Sequence, residues 1–242
     1  GWHSYLQSKM IPFESGGFDS AIHHTHRLYG DIKNKAVEES LRLATLRGEA
    51  PDCQGSGMRN SHLFAIAPNA SSSSLVGASP SIEPWAGVAF NAEGRAGSFL
   101  IKNKYLRDVL VSYGKDTPEI WSSIVTNEGS VQHLEFLTDL EKAVFKTAYE
   151  INPMWVVEQA AARQGYICQS QSVNLFVPAD ITAQEISDIH VAAWAKGLKS
   201  LYYCRSKSAT KANVGTGTDR PLNAVAVRTK IEYDGGCLAC QG

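Results

Sequence analysis

The stretch Ser172–Tyr203, SVNLFVPADITAQEISDIHVAAWAKGLKSLYY, decides the fold class. Its opening residues, Ser172–Val177, form an apolar run of strand length, and Pro178–Ile181 reads as a turn. Thr182 and Glu185 have capping-box spacing: the threonine hydroxyl can accept from the backbone three residues on, while the glutamate reaches back. A helix is predicted from there through Ile186, Ile189, Ala193 and Trp194, ending at Gly197. Lys199–Tyr203 then returns as a strand. Strand, helix and strand within about 30 residues imply parallel pairing, because parallel neighbours need a crossover connection. The expected class is α/β.

Working outward, Asn152-Pro153 starts a second helix running to about Arg163, with Pro153 suited to the first turn and Gly165 ending it. Thr138–Glu150 is predicted helical, with Leu140, Val144, Phe145 and Ala148 on one side, and Tyr105–Tyr113 likewise. Residues 19–47 read as a long helix capped by Asp19. His62–Ala67 reads as a short strand that stops at Pro68 and leads into Asn69, Ala70 and four serines. The flanks of the region from Phe90 to about Ser130 carry no clear period. After Arg205 the composition turns to Ser, Thr, Lys, Gly and Asn, ending in Gly235-Gly236-Cys237-Leu238-Ala239-Cys240-Gln241-Gly242, the pattern of a mobile tail with two thiols.

The chain of 242 residues is 43% apolar and 19% charged, enough to bury a core and too apolar for wholesale disorder. Its formal net charge of -1 removes the electrostatic case for a nucleic-acid or anionic-membrane surface. No apolar run approaches the roughly 18–20 residues that span a bilayer. His3, Gln7, Lys9 and Glu14 interrupt any export signal, so a cytoplasmic protein is expected. Five cysteines, an odd number, suit reduced thiols in that setting, with Cys53, Cys168 and Cys204 read as packing residues or inert thiols.

Four features could carry chemistry. If a helix begins within Asn69-Ala70-Ser71-Ser72-Ser73, its free N–H groups and hydroxyls could hold a phosphate, though serine runs are more commonly solvated linkers. Tyr202 and Tyr203 suit a half-buried strand on packing grounds alone. A shared role would need a local distortion or ring stacking, because adjacent strand residues point to opposite faces. Cys237-x-x-Cys240 suits dithiol exchange or half a zinc site; the other cysteines are isolated, which disfavours zinc. His23 and His26 share a helix face, but without a carboxylate pattern they read as surface or interface residues, and no metal is expected.

The ordered set resembles the class I ribonucleotide reductase large subunit. The resemblance lies in Arg59-Asn60-Ser61, Pro68-Asn69-Ala70-Ser71-Ser72-Ser73, Ser81-Ile82-Glu83-Pro84, Asn152-Pro153-Met154-Trp155, Val173–Val177, Lys199-Ser200-Leu201-Tyr202-Tyr203 and the terminal cysteine pair. It covers nearly the whole chain, and although each motif alone is weak, their order is specific.

The resemblance implies the C-terminal part of a ten-stranded α/β barrel, completed by another chain. Residues 1–205 would belong to the barrel and 206–242 to a flexible redox tail. Asn69, Ala70, Ser71, Ser72 and Ser73 would hold the diphosphate of a ribonucleoside diphosphate. Tyr202 and Tyr203 would be a stacked radical relay. Cys237 and Cys240 would re-reduce the active-site disulfide and be reduced in turn by thioredoxin or glutaredoxin. This chain would bind no cofactor of its own, since a small subunit supplies a metal-generated radical. The family's Asn-x-Cys-x-Glu segment, which carries the thiyl radical, is absent: Cys53 sits in Pro-Asp-Cys-Gln-Gly and Cys168 in Tyr-Ile-Cys-Gln-Ser. The chain therefore reads as roughly the last third of a split large subunit that reduces ribonucleotides to 2′-deoxyribonucleotides. A non-catalytic phosphate-binding or scaffold paralogue of the same fold is the alternative. A free-standing dithiol oxidoreductase fits poorly, because no helix follows the terminal cysteine pair.

Overall fold

A computed structural model of the chain describes residues 1–94 and 97–207. Two successive strands and their crossover helix occur, but the second strand begins at Cys204, beyond the expected Lys199–Tyr203, because an irregular step at Tyr202 and Tyr203 interrupts the ladder there. Strand β3 (Leu175–Val177) runs parallel to β4 (Cys204–Ser206), in the register Leu175↔Cys204 and Val177↔Ser206; both are numbered after a hairpin described below. On the other side of this segment, Ile66 bridges Gln171, again in parallel. Three parallel segments thus lie side by side, centred on residues 171–177. Among the described residues these segments do not close into a barrel, and the expected α/β class holds.

The helices follow local signals. The first is α1 (Trp2–Ser8), followed by the long α2 (Ala21–Arg47). Ser20, not Asp19, caps α2: its hydroxyl accepts from His23 N at 3.2 Å. Asp19 sits at φ 54 and turns its carboxylate onto the His24 ring, which leaves the capping position to serine. A one-turn helix, α3 (Ala70–Leu75), occupies the serine run. The hairpin β1 (Ala89–Gly94) and β2 (Gly97–Lys102) pairs antiparallel, Ala89 opposite Lys102, where the sequence had shown no period. It is followed by α4 (Lys104–Ser112), α5 (Pro118–Thr126), α6 (Asp139–Val144), α7 (Pro153–Gln164) and, after β3, α8 (Ala183–Ala195). The helix expected over 138–150 ends at Val144.

The expected capping box of Thr182 with Glu185 forms, and Thr138 with Glu141 makes a second. In the first, Glu185 N donates to Thr182 Oγ1 at 3.2 Å, and Thr182 N donates back to the Glu185 carboxylate at 2.8 Å. A cap of this kind contributes about 1 kcal/mol.

Packing falls into three clusters. Val88, Leu106, Leu110, Trp121, Ile124 and Phe145 form a lobe from the hairpin, α4 and α5. A second cluster joins α1, α2 and α7 through Trp2, Leu6, Phe13, Ala21, Val156 and Val173. Val157, Leu175, Val177, Ile189 and Ala193 seat α8 and α7 against β3. These last two clusters hold the parallel segments in place; the serine run follows one of them and the tyrosine pair leads into another.

Candidate functional site

The strand expected over His62–Ala67 is reduced to a single bridge, and a thiol is the reason. The Cys168 sulfur accepts from both Leu63 N and Phe64 N at 3.0 Å, taking two backbone donors that a regular ladder would use. Cys168 is exposed, as is Cys204, so neither is the packing residue the sequence suggested. Partial burial would raise the Cys168 pKa, but the N–H groups of Phe64 and Leu63, with those of its own loop, outweigh that and hold the thiol below its ordinary value. Sequence reading missed this environment because the donors lie 104 and 105 residues away. Cys168 shares a groove of about 590 Å³ with His62, Gln171, Ser200 and Tyr202.

Beyond the bridge the chain enters the serine run. Asn69 stands at the N-terminus of α3 and its side chain makes no cap. Helix geometry leaves the first N–H groups without intrahelical acceptors, and among the described residues no side chain caps them. Asn69, Ala70, Ser71 and Ser72 are exposed. Ser73 is buried, and its hydroxyl donates to Ala70 O at 2.6 Å, so it props the turn from beneath. A hollow of about 340 Å³ opens beside it, lined by Asn69, Ser72, Ser73, Ala78 and Ser81 among others. Among the described residues its lining offers hydroxyls, backbone donors and the amino-terminal Gly1, and no lysine or arginine.

The two tyrosines meet the condition that sequence reading attached to a shared role. Their ring centroids are 4.2 Å apart, with planes inclined at 50°. The backbone achieves this with an irregular step. In the register of β3 and β4, Val173 O would accept from Tyr203 N; it accepts instead from Tyr202 N at 2.8 Å, while Tyr203 O accepts from Leu175 N at 2.8 Å. Tyr202 and Tyr203 together thus oppose Asn174 alone, a β-bulge, which cancels the alternation of faces. The rings are 47% and 50% exposed, open enough to meet another surface. The Arg205 guanidinium lies 5.6 Å from the Tyr203 ring centre.

The histidines at 23–26 have protein partners. His24 bonds Asp19 at 2.8 Å and the Tyr5 hydroxyl at 2.9 Å, and His26 bonds the Tyr166 hydroxyl at 3.1 Å. Among the described residues, no three His, Cys, Asp or Glu side chains gather as a metal site. Likewise among these residues, no helix is long and apolar enough to cross a membrane. Cys237 and Cys240 lie outside the described residues.

Comparison with known proteins adds a family. Residues 50–204 match the model for "Ribonucleotide reductase, barrel domain". The provisionally named ribonucleoside-diphosphate reductase large subunit of Frog virus 3 (isolate Goorha) is 44% identical over 242 residues, all of this chain and 41% of the relative. The ribonucleoside-diphosphate reductase large subunit of Invertebrate iridescent virus 3 is 43% identical over 249 residues, covering all of this chain and 38% of the relative. Among solved structures, the Actinobacillus ureae class Id ribonucleotide reductase alpha subunit matches with a TM-score of 0.78 and 42% identity, covering 88% of this chain and 39% of that one. The chain spans about two fifths of the length of these relatives.

Proposed function

Because this chain belongs to the ribonucleotide reductase large-subunit family, through its barrel domain, we propose that it supplies part of the machinery of a ribonucleoside-diphosphate reductase. The reaction converts a ribonucleoside diphosphate and a dithiol into a 2′-deoxyribonucleoside diphosphate, a disulfide and water. The observation that carries this reading is the tyrosine pair, its ring centres 4.2 Å apart and half exposed just before β4. A phenol that gives up an electron near neutral pH gives up its proton with it, so a relay needs the next acceptor in contact. Adjacent rings that alternated across a strand could not provide this.

In this reading Asn69, Ala70, Ser71, Ser72 and Ser73 bind the substrate diphosphate. The free N–H groups of α3 and the exposed Ser71 and Ser72 hydroxyls face the phosphate oxygens, and Ser73 braces the turn. Tyr202 and Tyr203 pass the radical between a small subunit, which generates it at a metal, and a cysteine elsewhere in the barrel. Cys237 and Cys240, in a tail spanning 206–242, reduce the active-site disulfide by thiol–disulfide exchange; thioredoxin or glutaredoxin then reduces the tail. Residues 1–205 contribute the C-terminal part of a ten-stranded barrel, completed by the N-terminal part of the large subunit as a separate chain in the cytoplasm. The unclosed parallel segments support this completion.

Reconstitution tests the proposal. This chain, the N-terminal part of a relative's large subunit, a small subunit and a dithiol reductant are expected to turn over ribonucleoside diphosphate together, and this chain alone is not. Changing Cys237 and Cys240 to Ser is expected to abolish repeated turnover with thioredoxin while sparing a single turnover. Turnover by the isolated chain would refute the requirement for a completing chain, and unimpaired repeated turnover by the double serine variant would refute the tail assignment.

A further inference from the structure

The bulge that brings the tyrosine rings together has a cost: it leaves Tyr203 N without its ladder acceptor, since Val173 O is taken by Tyr202 N. The Asn174 side chain takes its place. Asn174 Oδ1 accepts from Tyr203 N at 3.0 Å, so a side-chain carbonyl substitutes for the backbone carbonyl one residue away. Asn174 is 2% exposed, and its amide has to face one way. Its Nδ2 donates to Glu83 Oε1 at 2.5 Å. Only one orientation of the amide puts an N–H toward the carboxylate and the oxygen toward Tyr203 N; the flipped orientation sets donor against donor and acceptor against acceptor.

We propose that Asn174 and Glu83 are positioning residues for the tyrosine pair: the Asn174 carbonyl holds the bulge in place, and Glu83 fixes which way the Asn174 amide faces. Glu83 is itself buried, on the chain that returns from α3, and its backbone N donates to Pro80 O at 2.8 Å. Burial pushes its carboxyl above the ordinary range, and the Asn174 amide and Arg205 pull it back. The chain Glu83–Asn174–Tyr203 therefore ties the serine segment to the ring pair. Without the Asn174 carbonyl, the acceptor left for Tyr203 N is Val173 O. Taking it removes the extra residue from the strand and returns Tyr202 and Tyr203 to opposite faces.

The consequence for turnover rests on the relay reading; the consequence for ring geometry does not, and the test separates them. A crystal structure of the full chain carrying Asn174→Ala is expected to show Tyr203 N bonded to Val173 O and the rings out of contact, and single-turnover activity of the reconstituted enzyme is expected to fall roughly tenfold to a hundredfold, the population shift from one lost buried hydrogen bond. The swap Glu83→Gln with Asn174→Asp restores the pattern, because the new amide donates to the new carboxylate, whose other oxygen still accepts from Tyr203 N; its rings are expected to stay in contact and its activity to recover. Rings still in contact in Asn174→Ala overturn the assignment, whatever the activity. Should that variant not fold, the swap decides, and a swap that parts the rings or fails to fold overturns the assignment equally. Parted rings with undiminished turnover leave the positioning role standing and overturn the relay.

Discussion

Around Trp121 the buried side chains are almost all apolar: Leu106, Leu110, Ile124, Val131 and Phe145 pack together, and the indole N–H leaves the cluster to donate to Asp116 at 2.7 Å. Around Val173 the buried set includes Glu83, Gln159, Arg163, Gln171 and Asn174. These polar groups bond one another and the backbone, as where Arg163 Nε donates to Gln171 Oε1 at 3.2 Å and Gln171 donates on to Ala160 O at 2.9 Å. Burial disfavours the Arg163 charge, lowering its pKa to about 10. The first region gains stability from apolar area, which is tolerant of detail. The second commits buried hydrogen bonds to particular directions, and it is there that the backbone leaves its regular register at Tyr202 and Tyr203. The lobe holds the fold, and the polar region holds a geometry.

If this contrast is right, damage to the lobe should appear as lost stability and damage to the polar region as lost position. The largest stability effect is expected from Trp121→Ala, which empties a fully buried site and should cost about 3–5 kcal/mol in urea unfolding. Loss of less than about 1 kcal/mol would mean the lobe is not the stabilising core described here.

Acid provides the next test. His3 is buried: its Nδ1 accepts from Trp85 N at 2.9 Å and its Nε2 faces Val144 O at 3.3 Å, so the neutral ring fits and a second proton does not. Burial lowers its pKa from 6.5 to about 3. The folded pKa lies below the unfolded one, so the unfolded chain binds the proton first. The contribution to stability is complete above about pH 6.5 and is lost as pH falls from there toward 3. Urea midpoints measured between pH 7 and pH 4 should fall with a slope that His3→Gln, which keeps a donor and an acceptor, reduces by up to about one proton. Equal slopes in the two proteins would remove His3 from the acid response.

The smallest effect belongs to the exposed end of α8. Thr182→Ala removes one side of a capping box and should cost about 1 kcal/mol without changing the tyrosine contact. A larger loss, or parted rings, would mean that the helix end and the ring pair are coupled.

What could be read from the sequence follows the distance over which each signal acts. Thr182 and Glu185 are three residues apart, and Asn152-Pro153 is a local start signal, so α8 and α7 were legible, along with the parallel pairing their spacing implies. The hairpin of β1 and β2 was not, because its strands lack apolar alternation. The identity of the α2 cap was missed by one residue, because Asp19 has a competing partner in His24. The ring contact was readable only as a condition. Its cause joins Tyr203 to Asn174 over 29 residues and Asn174 to Glu83 over 91, and no local pattern encodes such a link. The thiol environment of Cys168 was hidden for the same reason. The serine run and the tyrosine pair were legible as an ordered set of weak motifs, whereas the geometry that joins them through Glu83 was not.

The central claim is that Tyr202 and Tyr203 carry a radical for ribonucleotide reduction. Its most direct test is a single-turnover assay of the reconstituted enzyme with Tyr202→Phe and, separately, Tyr203→Phe, each checked for an unchanged unfolding midpoint. Phenylalanine keeps the ring and its packing but cannot pass on a hydroxyl proton with an electron. The account predicts no deoxyribonucleotide from either variant, even in one turnover. Full product formation by either would contradict it.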